Sequence, residues 1–329
     1  MRIPEQLQRC VCFITTYRAG VPTGTGTGFL VAKEIGLEHH GFVYVVTAAH
    51  CLFDDVGAPD EIAIRLNTRA GASDEFMVNR DLWITHPDSD VAILPYFPDT
   101  TTFEFSAYNA DSTAPKEFRD ERKIGPGDDT FTTGLLVYHP GETRIMPVMR
   151  VGSIAAIPGD PVRLRIGKYP GAMEVDEHVI LTEVRSIGGV SGSPVFLHLP
   201  FWRDGRKGGV IGWDKDTTAA SGGESRLLGV MHGFYPVGQN DPEGVSRGNK
   251  DLNTGIAVVV PFDRVNELID DHTQIAMREV MRQTLEKEQI PSPGSFALGS
   301  ADEEEDSIQK TSALIREALG LSKDDIEQS

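Results

Sequence analysis

Short apolar runs separated by turn residues fill most of this chain. They cover Val11–Thr15, Gly28–Ala32, Phe42–Thr47, Glu61–Leu66, Val91–Pro95, Phe131–Val137, Met146–Ile157, Arg163–Ile166, Val179–Val184, Ser193–Leu197, Gly209–Trp213 and Leu227–Met231. Val, Ile, Phe and Thr recur within them, and Gly, Pro and Asp punctuate them. This pattern predicts many short strands, as in an all-β sandwich or barrel. The period changes towards the end. Phe262–Asp271 reads as a helix packed back on the strands. Gln274–Gln289 places Ile275, Met277, Val280, Met281 and Leu285 at helical spacing. Ile290–Ser295 is rich in proline and breaks that pattern. Asp302–Asp306 is an unbroken acidic run, read as solvated. Ser307–Leu321 reads as a last helix, with Ile308, Leu314, Ile315 and Leu319 as its apolar stripe.

Three segments carry the chemistry, in the order His, Asp, Ser. They are Val45–Cys51 (VVTAAHC), Asp88–Leu94 (DSDVAIL) and Gly188–Pro194 (GGVSGSP). A serine hydroxyl is a weak nucleophile at neutral pH and needs a base within hydrogen-bond reach. An imidazole can take that proton and return it to a leaving amine. A buried carboxylate on the other ring nitrogen fixes the tautomer and stabilises the imidazolium. His50 is the expected base, Asp90 the orienting carboxylate and Ser191 the nucleophile. Asp88 is the rival for the carboxylate; Asp90 is preferred because it directly precedes the apolar run. The backbone N–H groups of Gly189 and Ser191 are the expected oxyanion donors, in a turn that glycines at 188, 189 and 192 permit. The α/β-hydrolase alternative fails. Its elbow reads G-x-S-x-G and its triad runs Ser, Asp, His, whereas position 193 here is Ser and the histidine comes first.

These motifs resemble those of the chymotrypsin-like (trypsin-fold) serine peptidases, and within them the bacterial HtrA-type branch without a PDZ domain. Gly26–Val31 (GTGFLV) is similar to the strand that precedes the histidine strand in that branch. Gly255–Pro261 is similar to the last barrel strand. The likeness spans about residues 10–272. It implies an all-β fold of two six-stranded antiparallel β-barrels with a helical C-terminal appendage. Residues 1–100 form the first barrel, 101–130 the link, 131–272 the second barrel with its exit helix, and 273–329 a helical and acidic tail. It implies a serine endopeptidase acting on a protein or peptide through an acyl-enzyme, with no cofactor and no metal. Secreted relatives tie the cysteine after the histidine to one on the preceding strand. The matching position here is about Gly26, so Cys51 is expected to stay free. Digestive relatives carry Asp just before the nucleophile and activate by pairing it with a new N-terminus. Val190 stands there, so that switch is absent. The C-terminal tail, or a partner bound to it, is the expected regulator.

By the same resemblance the primary pocket is lined near Arg185 and Ser186 and by the strand carrying His232 and Gly233. Arg185 and His232 together would suit an acidic residue before the cleaved bond. The competing reading is a surface Arg185 and a packed His232, with a small or medium apolar preference. No Asp stands where trypsin-like selection of Lys or Arg needs one.

Charge and cysteine usage narrow the setting. The 329 residues carry a net charge of −18, which argues against nucleic acid or an anionic membrane as the main partner. Residues 291–329 hold 3 Lys/Arg against 9 Asp/Glu, so the acidic excess is spread over body and tail. No apolar stretch reaches the length of a membrane span, and residues 1–20 lack the apolar core of a signal peptide. Three cysteines, Cys10, Cys12 and Cys51, suit a reducing compartment. The expectation is a cytoplasmic processing protease. The alternatives are a catalytically silent peptide-binding or regulatory protein and a general quality-control protease.

Overall fold

Strand-forming residues on both sides of the histidine motif assemble into one large sheet, and those after residue 128 into a closed barrel. The computed structural model describes residues 3–4, 6–37, 40–136, 139–167, 170–184, 190–200, 223–236 and 253–288. The first sheet follows a single turn of helix α1 (Gln6–Arg9). Its strands are β1 (Val11–Arg18), β2 (Val21–Glu34), β3 (Gly41–Thr47), β4 (Glu61–Asn67), β5 (Ser73–Val78), β6 (Ile84–Thr85), β7 (Ala92–Pro95) and β8 (Tyr108–Asn109). They pair in the order β5-β4-β1-β2-β3-β7-β6, with β8 lying parallel to β2. Helix α2 (Lys116–Glu121) follows. The six-stranded barrel uses β9 (Asp129–Gly134), β10 (Val148–Ala156), β13 (Ile180–Glu183), β14 (Pro194–Pro200), β15 (Gly223–Pro236) and β16 (Asn253–Pro261). A separate hairpin, β11 (Val162–Ile166) with β12 (Met173–Glu177), interrupts it. Helices α3 (Asp263–Ile269) and α4 (His272–Glu288) complete the described chain.

The expected pair of six-stranded barrels is therefore found once. Among the described residues the first sheet ends at β5 and β6 without a ladder joining them. A short turn separates the two. Asn79 caps a 3-10 turn at Arg80–Leu82, its side chain accepting from the Asp81 N–H at 2.9 Å. The chain leaves that turn into a strand of only two residues, and both of these pair with β7.

One apolar core runs through both halves. Phe29 on β2, Phe131 on β9, Phe196 on β14 and Phe262 before α3 are all nearly inaccessible and belong to one cluster. Phe131 stacks on Phe196 at 4.9 Å, and Tyr108 meets Phe196 edge-on at 5.2 Å. Each such buried ring contributes roughly 1.5–3 kcal/mol by removal from water. The Tyr108 hydroxyl donates towards the carbonyls of Ser112 and Ser225, at 3.0 and 2.9 Å. The stretch read from sequence as the link, residues 101–130, holds strand β8 and helix α2. The loop between β9 and β10 also crosses to the first sheet, where the Asn67 side chain accepts from the Ile145 N–H at 2.9 Å. These contacts tie the β9–β10 loop and β14 to the first sheet.

Candidate active site

The histidine is placed by the end of β3. Thr47 closes that strand, and its hydroxyl donates to the Thr27 carbonyl at 2.8 Å. A 3-10 turn, Ala49–Leu52, then carries His50 towards the start of β7. Asp90 lies just before β7 and is fully buried, whereas Asp88 is exposed. The Asp90 carboxylate meets His50 twice: Oδ1 accepts the backbone N–H at 2.9 Å, and Oδ2 lies 2.6 Å from the ring Nδ1. Hydrogen bonds of this kind favour the ionised carboxylate. Burial works against the Asp90 charge, but the neighbouring imidazoles of His50 and His232 outweigh it and hold its carboxyl well below the usual range. Burial likewise opposes the His50 charge. The Asp90 carboxylate, with a smaller effect from Cys51, overcomes that and raises the His50 pKa well above its ordinary 6.5.

Ser191 sits on a turn packed against β2. Its carbonyl accepts the Thr27 N–H at 2.9 Å. Gly192 follows with φ +81°, and a Cβ there would stand 2.1 Å from the Thr27 carbonyl oxygen and 2.4 Å from the Thr47 hydroxyl. Only glycine combines that conformation with that approach. The turn is also tied to β15: the Gly192 N–H donates to the Met231 carbonyl at 2.7 Å, and the Met231 N–H to the Ser193 carbonyl at 2.9 Å. The Ser191 hydroxyl itself donates to the His232 carbonyl at 3.0 Å.

His232 had two readings from the sequence, a primary-pocket contact with Arg185 for an acidic substrate side chain, or a packed histidine. In the structure its Nδ1 is hydrogen-bonded to Oδ2 of Asp90, and its ring stands edge-on to that of His50 at 5.2 Å. That commits Nδ1 to a buried carboxylate and leaves any contact with a substrate to Nε2. Gly233, the next residue, does face open space where a side chain would project. Arg185, Ser186, Gly188 and Gly189 lie outside the described residues.

Thr27 had no clear signal in the sequence, whereas the approach of Gly26 to Cys51 had one. Thr27 bridges the halves, receiving Thr47, donating to the Ser191 carbonyl, and accepting the Leu135 N–H on its own hydroxyl at 2.9 Å. Gly26 faces Cys51, with an ideal Cβ 2.7 Å from its sulfur, so the strand position inferred for a cysteine partner does lie opposite Cys51. All three cysteines are free thiols, and burial pushes that of Cys10 up to about 12.

His50, Asp90 and His232 also present three ligand-type atoms within 4.8 Å of one another. The His50–Asp90 contact of 2.6 Å is a hydrogen-bond distance. Ligands about 2 Å from a tetrahedral zinc stand roughly 3.3 Å apart. As it stands the cluster is spaced for hydrogen bonding.

Comparison with known proteins gives an independent finding. The family described as trypsin-like peptidase domain matches residues 26–199. No curated protein sequence matches the chain. The crystal structure of Deg5 is similar at 14% identity and a TM-score of 0.44, over 81% of this chain and 92% of that one. The Rv3671c protease from M. tuberculosis, in its active form, is similar at 15% identity and a TM-score of 0.44, over 80% of each chain. The serine endoprotease from Yersinia pestis shows 12% identity and a TM-score of 0.42, over 83% of this chain and 65% of that one.

Proposed function

The chain belongs to the trypsin-like peptidase family, and from that premise we propose that it cleaves peptide bonds through Ser191, His50 and Asp90. It is a serine endopeptidase whose substrate is a protein or peptide. In the proposed cycle the Ser191 oxygen attacks the scissile carbonyl while its proton passes to Nε2 of His50. Asp90 holds Nδ1–H, so the free lone pair of the ring lies on Nε2. The imidazolium then gives the proton to the leaving amine, and water repeats the sequence on the acyl-enzyme. The observation that carries this reading is the 2.6 Å contact between the His50 ring and a fully buried Asp90. The three free thiols support a reducing, cytoplasmic setting.

One observation favours a second reading, a catalytically silent peptide-binding protein: the Ser191 hydroxyl rests on the His232 carbonyl. Labelling with a fluorophosphonate separates the two. The proposal expects the folded wild type to gain a phosphonyl adduct on Ser191, with Ser191→Ala and His50→Ala unlabelled. A folded wild type that stays unlabelled between pH 6 and 10 supports the silent reading and sinks the triad.

A further inference from the structure

The catalytic cycle above makes no use of the His232 ring, yet that ring is bonded to its orienting carboxylate. Its position comes from a defect in β15. Met231 pairs with Val259 and Gly233 with Val258, so His232 is an extra residue with no partner of its own across the ladder. An extra residue interrupts strict alternation and re-aims one side chain. The flanking Met231 is fixed by the two backbone bonds to Gly192 and Ser193. The bulge is thus anchored to the turn that carries Ser191. From there His232 touches both ends of the proposed triad: its ring meets Asp90 and its carbonyl receives the Ser191 hydroxyl.

We propose that His232 is a positioning residue that sets the basicity of His50 by sharing Asp90 with it. The proposal rests on the triad reading. An ionised carboxylate only accepts hydrogen bonds, so both Nδ1 atoms on Asp90 carry protons. Each donor takes up part of the carboxylate's charge. His232 therefore weakens the hold of Asp90 on the His50 imidazolium. With His232 in place, His50 releases its proton at a lower pH than it would facing Asp90 alone. The titratable groups that face His50 are Asp90 and Cys51 from the first sheet's loops and His232 from β15. Of these, His232 is neither the carboxylate nor a sequence neighbour of the base, so its replacement leaves the proposed reacting groups in place.

The test is the rate of fluorophosphonate labelling against pH, for the wild type, His232→Asn and His232→Leu. Asparagine presents an amide N–H close to the position of Nδ1 but carries no charge, and leucine fills the space without a donor. Loss of the donor is expected to move the acid limb of the profile to higher pH by about half a unit to one unit. At pH 7 this lowers the labelling rate about 3- to 10-fold, with recovery at high pH. Asparagine is expected to return the limb part of the way. Superimposable limbs in all three proteins would overturn the proposal and leave the triad standing. An unlabelled wild type would remove the triad and this proposal together. Should the leucine variant not fold, nitrogen NMR of the wild-type histidines decides: a protonated Nδ1 on His232 supports the proposal, and a bare Nδ1 refutes it.

Discussion

Gly192 shows how much can depend on the absence of one carbon. Its φ of +81° is a conformation that side chains rarely adopt, and an added Cβ would press on the Thr27 oxygen, the Thr47 hydroxyl and the Ala48 nitrogen. Two of these atoms are backbone of β2 and of the turn that carries His50, so neither can move aside alone. Gly192→Ala is expected to cost about 2–4 kcal/mol in urea unfolding and to abolish labelling of Ser191. Retention of both would mean that the turn is not held as described. At this scale the sequence was informative where a residue's role depends on near neighbours. Glycines around Ser191 announced a tight turn, and the apolar run after Asp90 marked it, not Asp88, as the residue entering a buried strand. For His232 the sequence left a pocket contact and a packed residue both open. Side chains on a strand alternate, so one inserted residue reverses every inference about which face a neighbour occupies. The insertion is visible only once β15 is laid against β16.

Helix α4 makes the same point one level up. The apolar spacing of Gln274–Gln289 did predict a helix, and the structure has one at His272–Glu288. It did not predict which apolar residues are covered. Met281 and Leu285 are buried with Gln274, while Ile275 and Val280 are each half exposed. At about 100° per residue, Gln274, Met277, Arg278, Met281 and Leu285 share one face, and Ile275 and Val280 flank it on opposite sides. Arg278 anchors that face, donating to the Tyr44 hydroxyl at 2.9 Å and also to the Ile269 carbonyl and Asp270. Arg278→Ala leaves the Ile269 carbonyl and the Tyr44 hydroxyl short of a donor. It is expected to destabilise the protein by about 1–3 kcal/mol. Val280→Ser is expected to change it by less than about 0.5 kcal/mol. Chemical denaturation of the two variants tests the assignment, and equal effects would contradict it. The strands show a similar division. Most barrel strands were foreseen from their apolar runs, whereas β5, β6, β8 and β12, with shorter or less apolar sequence, were not. Closure of the first sheet was expected by resemblance, and among the described residues no ladder joins β5 to β6.

For the whole molecule, the ionised groups that hold the site set opposing limits in pH. Asp54 is buried below the histidine turn, where Arg18 grips both oxygens at 2.8 and 3.0 Å and the N–H groups of Val56 and Gly57 add two more bonds. The Arg18 contact, with those N–H groups, draws its pKa down to about 2, and Asp90 is depressed as well. Depressed carboxylates stabilise the fold fully above the unfolded value of about 3.9. That contribution is lost as pH falls through the folded values. His50 has the opposite sign. Its pKa is raised in the fold, so its stabilising share is complete below about 6.5 and disappears as pH rises through the folded value. That upper span is also where the imidazole becomes the free base that the proposed reaction needs. Stability and reactivity must therefore cross: Tm is expected to fall over the same pH interval in which fluorophosphonate labelling accelerates. His50→Ala should remove this alkaline decline in Tm while retaining the acid decline below about pH 4, and Asp54→Asn should shallow the acid decline alone. A wild type whose Tm is flat from pH 6 to 10 while labelling rises would show that the base titrates without a folded-state shift, and the Asp90 contact would then not be what sets its pKa.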